Sequence, residues 1–148
     1  MVKYLFLDIE GVMVSPKDRD LNNRTYAWDD FWIPDRTMEL LKEIMQLEDV
    51  RIIITSDWRK TPDAMRYVYH RFDEYGFELW TELSKGFGQY KEELIRDWTD
   101  RFDSIVGDKP KYAVLDDENL SVNNLVRTDS YYGLISEDIK KVIKIFTE

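Results

Sequence analysis

The sequence has 148 residues, of which 21 are basic and 30 acidic, for a formal net charge of −9. A chain of this length forms one ordinary domain and buries a core without disulfide bonds, and its 43% hydrophobic content excludes global disorder. The sequence has no cysteine, which excludes a disulfide partner, a zinc–thiolate site and a cysteine nucleophile. It has one histidine, which excludes any mechanism that needs two. Since it shows neither a signal-peptide pattern nor an apolar run near the ~18 residues of a membrane span, we expect a soluble, cytoplasmic protein with no membrane partner.

The first half of the chain begins with an apolar run at residues 3–9, whose length and β-forming side chains predict a buried strand. Residues 10–21 include glycine, serine and proline and predict a loop. Together with the aromatic and acidic residues that follow, they predict a small flap at about residues 12–33, packed on the body of the domain. The aromatic residues of this flap are Tyr26, Trp28, Phe31 and Trp32. The next predicted elements are a helix at residues 34–47, a strand at 50–55 and a helix at 61–69.

The second half of the chain continues the alternation of strands and helices. Its predicted elements, in order, are a strand at residues 77–80, a loop at Gly86 and Gly88, a helix at 90–98, strands at 112–115 and 125–127, and a helix capped by Ser136. This alternation predicts an α/β fold with three layers, in which helices cover both faces of a mainly parallel five-stranded sheet. No repeat or linker divides the sequence, so we expect a single domain over residues 1–148.

Polar residues follow three of the predicted strands at their carboxyl ends. They are Asp8 with Glu10, Thr55 with Ser56, and Asp116 with Asp117. Ligands of open α/β sheets bind outside these strand ends, so we expect the six residues to share one crevice. Carboxylates gathered there repel one another unless a cation lies among them, and oxygen ligands without cysteine or histidine favour Mg²⁺. Each residue alone is more typical of a turn or a helix cap, and it is their joint occurrence that indicates a site.

Three segments resemble motifs of the haloacid dehalogenase-like (HAD) phosphohydrolases, whose fold is Rossmann-like. LFLDIEGVM is similar to motif I, an apolar run that ends in Asp-x-Asp-Gly. IIITSDWR is similar to motif II, a strand that ends in Thr or Ser. YAVLDDEN is similar to motif IV, a strand that ends in Asp-Asp. The basic residue of motif III precedes motif IV on a helix. Lys91 fits this position best, and Lys85 is its competitor. The resemblance covers nearly the whole chain. In Trp58-Arg59 and the late segment GLISEDIKKVI it extends to small HAD domains of phage and bacterial nucleic-acid repair proteins.

The resemblance implies a Mg²⁺-dependent phosphomonoesterase that works through an aspartyl-phosphate. Asp8 would be the nucleophile, and Glu10 would protonate the leaving group and then activate water. Thr55 and Lys91 would bind phosphoryl oxygens. The metal ligands would be Asp8, Glu10 through its main-chain carbonyl, and Asp116, with Asp117 orienting a metal-bound water or the lysine.

The resemblance also implies residues that bind the substrate. Ser56 follows the motif II threonine, Arg59 would bind a phosphate, and Trp58 would stack on a base. Gly11 would free the backbone amides after Asp8 to form an anion-binding nest. For Arg59 an equally good interpretation is that it pairs with a surface acid, while Trp58 packs against the start of the helix.

Residue 10 departs from the family pattern, which has a second aspartate there. Glu10 keeps the carboxylate but displaces it by one methylene, and a misplacement of about 1 Å can lower a rate ~10²-fold. The alternative function is therefore a catalytically impaired HAD-like binding module. A receiver-type regulator is a third interpretation, but it requires a phosphorylated aspartate after the third strand, which this sequence lacks.

The spacing between the motifs leaves no room for a separate cap domain, since domains have about 50 residues or more. HAD enzymes without caps have open sites and often act on large substrates. The resemblance therefore implies a phosphorylated substrate such as a nucleic-acid end or a nucleotide, or else a phosphoprotein. The acidic net charge weakens the case for tight binding along a nucleic-acid backbone.

Overall fold

Alternating strands and helices form three layers in the computed structural model, which describes residues 1–27, 29–86 and 90–148. The strands are β1 (Lys3–Leu7), β2 (Val50–Ile54), β3 (Leu79–Glu82), β4 (Lys111–Asp116) and β5 (Leu125–Arg127). The helices are α1 (Pro16–Leu21), α2 (Asp35–Met45), α3 (Pro62–Asp73), α4 (Lys91–Asp103) and α5 (Ser136–Thr147), with a 3₁₀ turn at Asp57–Lys60. Within these ranges no helix is both long enough and apolar enough to cross a membrane. Two predicted loop and flap residues, Gly88 and Trp28, lie outside the described residues.

The five strands form one sheet in the order β3-β2-β1-β4-β5, and every pairing between them is parallel. The predicted α/β fold is therefore confirmed. The chain moves outward from central β1 through β2 to β3, then crosses back to β4 on the other side of β1. The strand order thus reverses between β1 and β4, and a crevice opens at the carboxyl ends of these two strands.

Alternating side chains of β1 belong to two separate cores, because successive residues of a strand point to opposite faces of the sheet. Leu5 and Leu7 are fully buried in the larger core, under α2, α3 and α5. Tyr4 and Phe6 lie in the smaller core, which α4 covers. A fully buried leucine or phenylalanine contributes about 1.5–3 kcal/mol, so burial on both faces fixes the position of β1 and of the residues that follow it.

Helix α1 lies where the sequence predicted a loop, and that prediction is wrong for its six residues. The Ser15 hydroxyl accepts a hydrogen bond from the Asp18 amide at 3.1 Å, and the Asp18 carboxylate accepts one from the Ser15 amide at 3.0 Å. These reciprocal bonds form a capping box, and Pro16 at the first helical position has no amide hydrogen to lose. Ser15 and Pro16, which the prediction treated as part of a loop, are therefore the N-cap and the first residue of a helix.

Other boundaries differ from the predictions by a few residues. Helices α3 and α4 continue to Asp73 and Asp103, beyond the predicted ends at residues 69 and 98, and β3 begins two residues later than predicted. For α4 the reason is tertiary, because Phe102 in its last turn stacks on Tyr4 of β1 with ring centroids 4.5 Å apart. Local sequence does not show this contact.

The cap of α5 is also different from the prediction. Ser136 is the first residue of the helix and not its N-cap. The cap position belongs to Ile135, whose amide donates to the Asp138 carboxylate at 3.0 Å. An aspartate in the first turn therefore binds the amide of the cap residue, and the serine is not the residue that caps the helix.

The flap at residues 12–33 contains α1, and its later part packs on the 3₁₀ turn and on α3. Phe31 meets Trp58 edge to face, with centroids 5.2 Å apart, and the Ile33 amide donates to the Tyr67 hydroxyl at 2.8 Å. Trp58 is 8% exposed, so its ring serves packing, as one of the two sequence interpretations held. Nothing in the described ranges forms a separate cap domain over the sheet.

Candidate active site

Three carboxylates meet at the crevice between β1 and β4. Leu7 of β1 pairs with Leu115 of β4, so the residues that follow them, Asp8 and Asp116, lie side by side. Asp8, Asp116 and Asp117 each place a carboxylate oxygen within 4.8 Å of the others. Asp8 and Asp116 are buried, while Asp117 is partly exposed. Three of the four predicted metal-binding residues are therefore close enough to share one ion.

Lys91, the first residue of α4, reaches into this carboxylate cluster. Its ammonium lies 2.9 Å from Asp116 Oδ2 and 3.6 Å from Asp8 Oδ2, and its side chain is 15% exposed. Burial acts to lower the pKa of Lys91, but the charges of Asp8 and Asp116 outweigh it, so the pKa is raised and the group stays charged at neutral pH. Lys85, the competing motif III lysine, is exposed. The geometry thus favours Lys91.

The cluster holds more negative charge than its lysine can neutralise. Burial, together with the neighbouring charge of Asp116, raises the pKa of Asp8 well above its usual value, although Lys91 acts in the opposite direction. A raised carboxyl pKa means that the ionised form is disfavoured unless another cation compensates it. The donors are all carboxylate oxygens with no histidine or cysteine among them, which is the ligand chemistry of Mg²⁺. The residues present therefore fit the metal that the sequence suggested.

Thr55 supplies a hydroxyl that no other described residue uses. It follows β2, its amide donates to the Leu7 carbonyl at 2.9 Å, and it is fully buried. Its Oγ1 has no hydrogen-bond partner within the described residues. Leaving such a group unpaired costs about 1–3 kcal/mol, so the hydroxyl is suited to a ligand oxygen. The neighbouring Ser56 hydroxyl, by contrast, accepts the Trp58 amide at 3.2 Å and caps the 3₁₀ turn.

Arg59 is buried and binds backbone carbonyls of the loops after β2 and β3. It donates to Thr55 O at 2.6 Å, to Ser56 O at 3.1 Å and to Ser84 O at 3.1 Å. It also lies 3.6 Å from the exposed carboxylate of Asp57. These contacts match the alternative in which the arginine pairs with a surface acid, and they give it the further task of holding the Thr55 loop in place.

Gly11 is required because it has no side chain. Its own amide donates to Val14 O at 2.8 Å, and the anion nest of the amides after Asp8 stays a prediction. Its carbonyl accepts from the buried Thr128 hydroxyl at 2.7 Å. The residue has φ +79°, and a Cβ there would lie 2.3 Å from Asp117 Oδ2. Only glycine allows the loop and this carboxylate to approach so closely.

We expect Gly11→Ala to destabilise the fold by about 1–2 kcal/mol through its left-handed backbone, and in addition to displace Asp117. Gly76→Ala is the matched control, because Gly76 has φ +72° with no atom within 4 Å of its Cβ position. Urea unfolding should show a similar loss in both variants, whereas Mg²⁺ affinity should fall only in Gly11→Ala. Equal Mg²⁺ affinity in the two variants would contradict the close approach of Asp117.

Glu10 lies apart from the carboxylate cluster. Its side chain is 54% exposed, and its Oε1 accepts a hydrogen bond from Arg19 Nη2 at 2.9 Å. Arg19 lies on α1 and is 4% exposed. The sequence interpretation missed this arginine because it treated residues 10–21 as a loop. The spacing of Ser15 and Asp18 was the signal, since it marks the start of a helix whose last turn carries Arg19.

Clustered carboxylates, a partly buried lysine and a threonine hydroxyl with no partner among the described residues lie at the carboxyl edge of the parallel sheet, the arrangement expected of a HAD-like domain. The chain belongs to a HAD family, since the model of the HAD domain in Swiss Army Knife RNA repair proteins matches residues 4–139. This membership indicates an enzyme of the phosphatase or hydrolase class. No curated protein and no solved structure matches the chain.

Proposed function

We propose that this protein is a Mg²⁺-dependent phosphomonoesterase that forms an aspartyl-phosphate on Asp8. The observation that carries the proposal is the contact of one partly buried ammonium, that of Lys91, with both Asp8 and Asp116, at 3.6 and 2.9 Å. A lysine that salt-bridges a nucleophile and a metal ligand together suits the dianionic phosphoryl group of a phosphomonoester, whose charge needs several cationic partners.

In the proposed reaction, an Asp8 carboxylate oxygen attacks phosphorus in line with the scissile P–O bond. The leaving oxygen departs with its bonding electrons and takes a proton from Glu10. Glu10, now a carboxylate, then removes a proton from water as the water attacks the aspartyl-phosphate, which releases phosphate and regenerates Asp8. The ammonium of Lys91 and the free hydroxyl of Thr55 bind phosphoryl oxygens in both steps.

The carboxylates of Asp8, Asp116 and Asp117 and the carbonyl of Glu10 would hold Mg²⁺. When bound, the ion supplies positive charge that offsets the repulsion between these carboxylates and the phosphoryl oxygens. The raised pKa of Asp8, caused first by burial and then by the charge of Asp116, supports this assignment, because a bound cation would favour the ionised carboxylate.

The proposed substrate is a phosphorylated end of a nucleic acid. The described residues place no separate domain over the crevice, so a polymer end can enter, and the matching family is one of RNA repair proteins. With a net charge of −9, the domain is expected to contact mainly the terminal phosphate and not a long stretch of backbone.

The test is hydrolysis of p-nitrophenyl phosphate, nucleotides, 3′- and 5′-phosphorylated oligonucleotides and phosphopeptides, with Mg²⁺ or with EDTA. We expect turnover only with Mg²⁺ and the highest kcat/KM on an oligonucleotide end. Mg²⁺ should also raise the thermal midpoint, since a ligand at 100 times its Kd stabilises a fold by about 2.7 kcal/mol. Turnover that persists in EDTA, or a midpoint that Mg²⁺ leaves unchanged, would contradict the proposal.

One observation favours a second function, a binding module with little or no turnover. The Glu10 carboxylate is bound to Arg19 and is not among the carboxylates of the cluster. Glu10→Asp separates the two functions in the same assay. Turnover absent from the wild type and recovered in Glu10→Asp supports the binding module, while an active wild type supports the enzyme.

A further inference from the structure

The contacts of Arg19 link the flap at residues 12–33 to the proposed acid, Glu10. The guanidinium of Arg19 is nearly inaccessible to solvent, with a side chain 5% exposed, whereas the Glu10 side chain is 54% exposed. One nitrogen, Nη1, donates to the carbonyls of Thr25 and Asp30 in the flap, at 3.0 and 3.2 Å. The other, Nη2, donates to Glu10 Oε1 at 2.9 Å. The flap backbone therefore fixes the arginine, and the arginine fixes the carboxylate.

We infer that Arg19 is a positioning residue. It binds Oε1 of the Glu10 carboxyl group and so holds Oε2, the oxygen that carries the transferred proton, beside the leaving-group oxygen of the substrate. The inference rests on the proposed phosphomonoesterase function. In an in-line displacement the leaving oxygen lies on the far side of phosphorus from the nucleophile. An acid for that oxygen has to lie outside the carboxylate cluster around Asp8, and the bond to Arg19 holds Glu10 outside it.

Arg19 also explains how a glutamate works where the family pattern has an aspartate. Glutamate has one more rotatable bond, and an exposed glutamate samples many rotamers. A hydrogen bond from a buried guanidinium, itself fixed by two flap carbonyls, removes that freedom before the substrate binds. Part of the ordering of the longer side chain is then done in the free protein, and the extra methylene places the carboxylate within reach of the arginine.

The experiment compares two esters, because a misplaced general acid matters most when the leaving group is a poor one. Phenyl phosphate needs a proton on its leaving oxygen more than p-nitrophenyl phosphate does. We expect Arg19→Gln to lower kcat/KM for phenyl phosphate by about 10- to 100-fold and for p-nitrophenyl phosphate by a few-fold at most. Arg19→Lys, which keeps the charge but not the fork of donors, should recover part of the loss on phenyl phosphate.

Arg36→Gln is the matched structural control. Arg36 lies on α2 and binds, at 2.9 Å, Asp18 of α1, the helix that carries Arg19. It makes no described contact with Glu10. Any loss in this variant should be the same for both esters. The double variant of Arg19→Gln with Glu10→Gln should lose little more than Glu10→Gln alone.

Each outcome has one meaning. A wild type that hydrolyses neither ester overturns the proposed function and this inference with it. An active wild type in which Arg19→Gln loses equally on both esters, or in which the Arg19 and Glu10 losses multiply, overturns this inference alone. A larger loss on phenyl phosphate, absent from Arg36→Gln, supports it.

Discussion

Asp8→Asn is expected to lower phosphatase activity by ~10⁴-fold or more, because the amide cannot form the aspartyl-phosphate. Steady-state turnover of p-nitrophenyl phosphate with Mg²⁺ measures the loss, and acid-quenched protein from the wild type should carry phosphate that the variant lacks. The matched control is Asp73→Asn, the same chemical change at an exposed residue at the end of α3, which should keep full activity. Substantial activity in Asp8→Asn would remove Asp8 from the role of nucleophile.

The same variant is expected to be more stable than the wild type in EDTA at neutral pH. Burial and the charge of Asp116 raise the folded-state pKa of Asp8 above its unfolded value, so ionised Asp8 opposes folding at pH values above that raised pKa. Apo wild-type stability should therefore increase as the pH falls toward the raised pKa, and Asp8→Asn should lack this increase. With Mg²⁺ the order of stabilities should reverse, because the variant loses one of the proposed metal ligands. Thermal unfolding from pH 8 to pH 5 tests both statements.

Lys91→Met is expected to lower kcat/KM by about 10²–10³-fold, the usual effect of removing one preorganised partner of a developing charge. Without the ammonium, the carboxylates of Asp8 and Asp116 lie 4.8 Å apart or less with no counter-ion, so the apo protein should also lose on the order of 1–3 kcal/mol of stability. Mg²⁺ should recover part of that stability but little of the activity. Kinetics and urea unfolding with and without Mg²⁺ separate these effects.

Lys85→Met decides between the two lysines that the sequence left as competitors for motif III. Lys85 is exposed, whereas Lys91 bonds to Asp116 at 2.9 Å. We therefore expect Lys85→Met to keep wild-type kcat/KM and stability. A large loss in Lys85→Met with a small one in Lys91→Met would reverse the assignment.

The sequence by itself determined the fold and the members of the carboxylate cluster. Apolar runs that end in Asp8, Thr55 and Asp116 follow from local patterns, because burial on both faces of a parallel sheet needs continuous apolar strands. Parallel strands present their carboxyl ends at one edge, so residues that end such runs meet wherever the strands are neighbours. That is why Asp8 and Asp116, more than a hundred residues apart, were predicted to lie together.

Tertiary structure decided what the other polar groups do. Arg59 binds three backbone carbonyls because the loops after β2 and β3 bring those carbonyls to it. The partner of Glu10 is set by α1 and the flap, which fix Arg19, and the need for Gly11 comes from Asp117, on a loop distant in sequence. Local patterns report which segments are buried, since that depends on composition. The direction of a polar side chain depends on which acceptors the folded chain brings within about 3 Å, and only the packed structure contains that information.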